Sequence, residues 1–210
     1  MTNLEEHMRQ ASLLGFAARQ SAAALVLVRY FGFDQDRKFS PWFEQHREAL
    51  SQVRALGAHV YRWASAGIEV PTEQFRQVRE VVERILESSD PDGPPFETEI
   101  VDHLVLATEV FDYLAGPEDL DRLRRVFEHA EELAEAAEDM ATDESSSEDA
   151  QVAEFRRLEG EIRLLDLSEV RTAQEASDRD PVPLLRSEAF ARIYADVIAS
   201  GYSDEDAGRY

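Results

Sequence analysis

A chain of 210 residues with 44 acidic against 22 basic side chains carries a formal charge of −22, which argues against a role on nucleic-acid phosphates or an anionic membrane face and for repulsion from both. Its 43% of apolar residues suffices to bury a core unaided. Having no cysteine, it excludes disulfides, thiolate nucleophiles and Cys-ligated zinc or iron–sulfur centres, as suits a reducing compartment.

Glu5 and Glu6 stand where a signal peptide has its positive region. The longest uncharged apolar stretch, Ser21 to Val28, is far short of a membrane span. The expectation is a cytoplasmic protein. Lys38 is the sole lysine, an arginine bias of the kind that GC-rich coding produces; acid excess with little lysine is also a halophile's pattern.

Apolar residues recur every three or four positions almost throughout, and strand-like alternation is nearly absent. A first helix is predicted over Leu4–Phe31 with a break near Gly15. Its later half, Ala22–Val28, is apolar all round, which marks the centre of a core. Ser40-Pro41 opens a second helix, whose stripe Trp42, His46, Leu50, Val53, Leu56, Val60 and Ala64 reads as one buried face ending at Gly67. A third begins at Pro71-Thr72, uses Phe75, Val78, Val82 and Ile85, and stops in the breaker Ser88–Pro95.

A fourth helix, Phe96–Ala115, buries Ile100, Leu104, Thr108, Phe111 and Ala115. Gly116-Pro117 turns it into a fifth, Glu118–Met140, with Leu120, Leu123, Phe127, Ala130, Ala134 and Ala137 inward. So short a connection makes an antiparallel hairpin. A sixth carries Val152, Phe155, Leu158, Ile162 and Leu165, and Leu167–Ala176 reads as a separate short helix. After a linker at 178–183 comes the last helix, Leu184–Ser200, with Phe190, Ile193, Tyr194, Val197 and Ile198 on one side. The expected fold is all-α: a single multi-helix bundle with antiparallel helix hairpins over residues 1–167. A C-terminal helical extension follows over 168–202, whose last helix either packs back on the domain or serves another chain, and then an acidic, frayed tail over 203–210.

The chain has no Walker lysine motif, dinucleotide glycine fingerprint, His-Glu-x-x-His or Gly-x-Ser-x-Gly. It also lacks the Glu-x-x-His pairs of di-iron bundles. No catalytic residue, metal ligand or cofactor is assigned. One constellation stands as an alternative. Gly116 lies midway between His103 and His129, so an antiparallel hairpin centred there would bring Glu99, His103, His129 and Glu132 together, a donor set for a divalent metal. The plainer reading is that both histidines, flanked by apolar stripes, pack half-buried with one hydrogen bond each. His46 reads as a core-face residue and His59 as a rim residue.

The acid is concentrated: no Lys or Arg occurs between Arg125 and Arg156. Glu135, Glu138 and Asp139 fall late in the fifth helix, where negative charge is unfavourable. Glu128–Glu132, Glu131–Glu135 and Glu135–Asp139 repel at i,i+4, and nothing local offsets them. Such an inconsistency points to a binding surface, against the plain alternative of solubility. The candidate partner-binding residues are Glu128, Glu131, Glu135, Glu138, Asp139, Asp143, Glu144 and Glu148.

Ile100-Val101-Asp102 through Leu114, then Gly116-Pro117-Glu118-Asp119-Leu120, then Val152-Ala153-Glu154-Phe155 to Leu165 follow a long apolar N-terminal helix and two more helices. In this order of elements, over residues 10–167, the chain resembles the YjaG-like family of uncharacterised bacterial all-α proteins. Phe96-Glu97-Thr98-Glu99 stands where that family's aromatic-Pro-Ala segment is expected. The resemblance implies a fold and no activity, and it transfers no catalytic residue.

The functional expectation is a non-catalytic protein that binds a basic protein partner, as immunity and antitoxin proteins do. No nucleic acid and no membrane is expected as partner. The alternatives are self-assembly, with a homodimer formed through the C-terminal helix by Phe190, Ile193 and Val197, and a helical metalloenzyme built on the His103–His129 set.

Overall fold

The computed structural model describes residues 3–32, 46–69, 71–89, 95–144, 154–173 and 182–201. These residues form eight helices and no strand: α1 (Asn3–Ser12), α2 (Phe16–Tyr30), α3 (Arg47–Ser65), α4 (Thr72–Ser88), α5 (Pro95–Ala115), α6 (Leu120–Glu144), α7 (Phe155–Ala173) and α8 (Val182–Gly201). The fold is an all-α bundle, as the periodicity predicts. None of the described helices is long and apolar enough to cross a membrane.

Helix α2 is the axis of the bundle. It packs against α3, α5, α6, α7 and α8, which is why residues 22–28 have no polar face: every side of that helix meets another. The predicted break falls at Leu13–Gly15, where Gly15 takes extended backbone angles and starts α2 afresh. Helix α3 lies closest to α2, because Gly57 lets the backbones approach. A Cβ there would stand 2.8 Å from both the Ala24 carbonyl oxygen and the Leu27 Cβ. At the far end of α3 the chain stops in a Schellman motif. Gly67 has φ +66, and the Ile68 N–H reaches back to the Trp63 carbonyl at 2.8 Å.

The α5–α6 hairpin forms as expected, since Asp119 caps α6 by accepting the N–H groups of Asp121 and Arg122 at 3.0 and 3.2 Å. Helix α5 is buried more fully than its predicted stripe, because α2, α4 and α6 all cover it. Leu106, Ala107, Val110 and Tyr113 are interior along with Ile100, Leu104 and Phe111, whereas Ala115 is exposed.

In the C-terminal third the boundary at 167 falls inside α7, which runs unbroken to Ala173. Of the two placements open to the last helix, α8 takes the first: it packs back on α2, α6 and α7. Phe190 and Tyr194 are buried against Tyr30, with ring centroids 5.5 and 4.9 Å away, and Phe155 closes the same aromatic cluster. Leu165, expected inward, is exposed. The tail at 203–210, the helix opening at Ser40-Pro41 with Trp42, and Val152 all lie outside the described residues.

Candidate functional site

The acidic segment occupies α6, and the tertiary structure sorts its carboxylates into two groups. Three are engaged by α7. Glu131 turns inward and accepts from Arg163 Nη1 at 3.0 Å. Glu135 pairs with Arg156 Nη1 at 3.2 Å. Glu138 accepts the backbone N–H of Arg156 at 2.7 Å. That N–H is among the first three of α7, which precede the helix's earliest internal bond, from Leu158 N–H to the Glu154 carbonyl. Nothing local offsets these acids, but their partners sit on the next helix, out of reach of any i,i+4 argument. The outward group is Glu128, half-buried, and Glu132 and Asp139, fully exposed. Asp143 and Glu144 belong to the last turn of α6, and Glu148 lies outside the described residues.

Glu131 belongs to a buried charge network that no local pattern announces. Arg29, on the apolar axis helix, donates to Asp166 Oδ2 at 2.7 Å and to Ser187 Oγ at 3.3 Å, and its Nη2 lies 3.3 Å from Glu159 Oε1. Arg163 holds the other Glu159 oxygen at 2.8 Å, donates to the Phe127 carbonyl at 3.1 Å and sits over the Phe127 ring. Arg186 completes the chain by pairing with Asp166 at 2.7 Å and with Glu169. Burial alone would raise the Glu159 carboxyl, but Arg163 and Arg29 outweigh it and hold it below the usual range. His7 on α1 accepts from Arg163 through Nδ1 at 3.2 Å, and burial and that cation push it down to about 4. The imidazole is thus neutral, and it ties α1 to α7. The one sequence signal for this network was Arg29 itself, a charge directly after the apolar run 22–28.

The histidine constellation does not assemble. His103 is buried, with its Nδ1–H donating to the Glu99 carbonyl at 2.7 Å and its Nε2 accepting from the Tyr194 hydroxyl at 2.9 Å. Burial pushes it down to about 3, so it too is neutral. His129 pairs with Glu109 Oε2 at 3.1 Å, and Glu132 points to solvent. The cause is the hairpin register. The turn occupies Gly116–Asp119, so His129 stands opposite Glu109 and not His103, a six-residue displacement of about 9 Å along α5 at helical rise. Among the described residues no group of three or more His, Asp or Glu could hold a metal ion. His46 is half-buried just ahead of α3, and His59 is exposed with its ring 5.5 Å from that of Trp63.

Compared with protein-family models, with curated proteins and with solved structures, the chain matches none of them.

Proposed function

We propose that this is a non-catalytic helical protein that binds a basic protein partner through the outer face of α6, in the manner of an immunity or antitoxin protein. One observation carries the reading. Glu128, Glu132, Glu135 and Asp139 remain at the surface of a helix that has no basic residue after Arg125, in a chain of net charge −22. Glu135 is held only by the exposed Arg156. Such a pair is worth about 0–1 kcal/mol and gives way readily to a partner's cation. The acids would raise the encounter rate and occupy a cleft built for phosphate. Glu131 and Glu138 take no part, since both are engaged within the fold.

The test is a pull-down from the native host at low and high salt, followed by Glu132→Arg, Glu135→Arg and Asp139→Arg together. A basic protein that leaves at high salt, and whose association slows in the triple variant, supports the reading. An unchanged on-rate removes the acidic face from the mechanism.

Self-assembly through α8 is the second reading, and it rests on Leu185 and Ile193, which are 56% and 49% exposed on the outer face of a helix whose inner face is also apolar. Phe190 drops out of it, being buried beneath Tyr30. Deleting the helix would remove core, so the appropriate variant is Leu185→Glu with Ile193→Glu. A dimer by light scattering that this variant dissolves would favour this reading, and a monomeric parent chain would end it.

A further inference from the structure

Among the described residues three arginines are buried: Arg19, Arg29 and Arg163. Two of them are each held by two carboxylates, Arg29 by Glu159 and Asp166, and Arg163 by Glu159 and Glu131. Arg19 is 7% exposed, yet among the described residues no carboxylate pairs with it, and its enclosed Nε has no hydrogen-bond partner. Its guanidinium lies over the Phe16 ring, with the central carbon 5.0 Å from the ring centroid, and it also acts on Tyr113. The stem and Nε are enclosed while the two terminal nitrogens keep an open face. A protein with 44 acidic residues has no shortage of carboxylates to place beside it. The open face of the Arg19 guanidinium carries no carboxylate of the described residues and is accessible to a group from outside the chain.

Its position says what that group is. Arg19 lies one turn into α2, and its side chain leans back toward the helix start, over Phe16, as helical side chains do. The start of α2 is itself uncapped. Gly15 supplies no side-chain acceptor, and the first turn contains no acid. The first helical hydrogen bond runs from Arg19 N–H to the Gly15 carbonyl, so the N–H groups of Phe16, Ala17 and Ala18 precede the ladder. The guanidinium and the first-turn N–H groups therefore lie at the same, positive end of α2.

Exposed apolar side chains lie at the same end of α2. Leu13 is 65% and Phe16 55% exposed. The Ser21–Ser65 contact at 3.5 Å brings the end of α3 alongside, with Ile68 also exposed. The α5–α6 turn carries the exposed Glu118 to this end of the bundle, where it and Arg19 both act on the buried Tyr113, but Glu118 forms no ion pair with Arg19.

We propose that Arg19 and the first turn of α2 form a binding site for a carboxylate carried on an apolar body, with Phe16 and Leu13 covering that body. A planar carboxylate matches the guanidinium fork, and the apolar rim separates this ligand from a bare inorganic anion. The site is independent of the acidic face of α6.

The test is an NMR titration of the full chain at fixed ionic strength. Its probes are benzoate, inorganic phosphate, and an N-acetylated pentapeptide ending in phenylalanine, with its C-terminal amide as control. Saturable shifts of the Phe16–Ala18 amides and of the Arg19 Nε–H with benzoate or the acid peptide are expected. Arg19→Met should weaken them about tenfold or more while circular dichroism stays unchanged. Tighter binding of the peptide than of benzoate assigns the site to a protein C-terminus, and the reverse order assigns it to a small acid. Shifts that do not saturate, that persist in Arg19→Met, or that favour phosphate would overturn the proposal. A loss of fold or of stability in Arg19→Met would overturn it too, because it would make Arg19 a structural residue.

Discussion

Glu138 on α6 accepts the backbone N–H of Arg156 at 2.7 Å, while the Arg156 guanidinium reaches back to Glu135 at 3.2 Å. One residue of α7 thus meets two acids of α6 that lie more than a turn before that helix ends. The positive end of α7 is what receives the Glu138 carboxylate. A repulsion within one helix has become an attraction between two.

This relation is open to direct measurement. Glu138→Ala should cost about 1 kcal/mol, the usual worth of a helix N-terminal cap. Urea denaturation reads the loss, and faster amide exchange at Phe155–Arg157 locates it. An unchanged midpoint would mean that water replaces the carboxylate without penalty.

The buried network should behave asymmetrically. Arg29→Met leaves Glu159 and Asp166 each short of a cation in the interior and should destabilise by about 3–5 kcal/mol. Arg29→Met combined with Glu159→Gln and Asp166→Asn should recover part of that loss, since fewer carboxylates are stranded. If the triple variant is as unstable as the sum of its parts, the three groups do not act as a unit.

Acid should unfold the protein through its histidines. His7 and His103 are held down to about 4 and about 3 in the fold, below the ordinary value near 6.5. Between those limits the unfolded chain binds more protons, so stability is full above about pH 6.5 and falls as pH drops below it. The slope approaches about 1.4 kcal/mol per pH unit for each histidine, offset below about pH 6 by the Asp166 carboxyl, which burial raises to about 6 and which takes up a proton in the fold. Urea midpoints measured between pH 7.5 and 5 check the sign, and His7→Gln should flatten the curve. The same pH response in His7→Gln as in the parent chain would contradict the neutral assignment of His7.

The close approach of α2 and α3 is a packing claim with its own test. Gly57→Ala would drive a methyl into the Ala24 carbonyl and the Leu27 Cβ, each 2.8 Å away. It should cost about 1–3 kcal/mol even though alanine is the better helix former. Differential scanning calorimetry decides the point, and a raised Tm would show that the helices separate at no cost.

Much of the architecture was legible from spacing alone: the break at Gly15, the stop at Gly67, the α5–α6 hairpin, and α2 as the centre of the core. The site was less so. Gly116 is the visible turn residue, but Asp119 ends the turn, and that small offset separates His103 from His129 and gives His129 to Glu109. Leu165 looks like a core leucine, yet it faces outward while Glu159, Arg163 and Asp166 on the same helix face inward.

Helical class, helix limits and the burial of α2 follow from the sequence by itself, because apolar periodicity, capping residues and glycine stops act over three or four neighbours. Which acids stay at the surface, and which of the buried arginines among the described residues have carboxylates beside them, were decided only in the tertiary structure. Those outcomes depend on the register between helices distant in the chain, where a slip of one turn changes every partner.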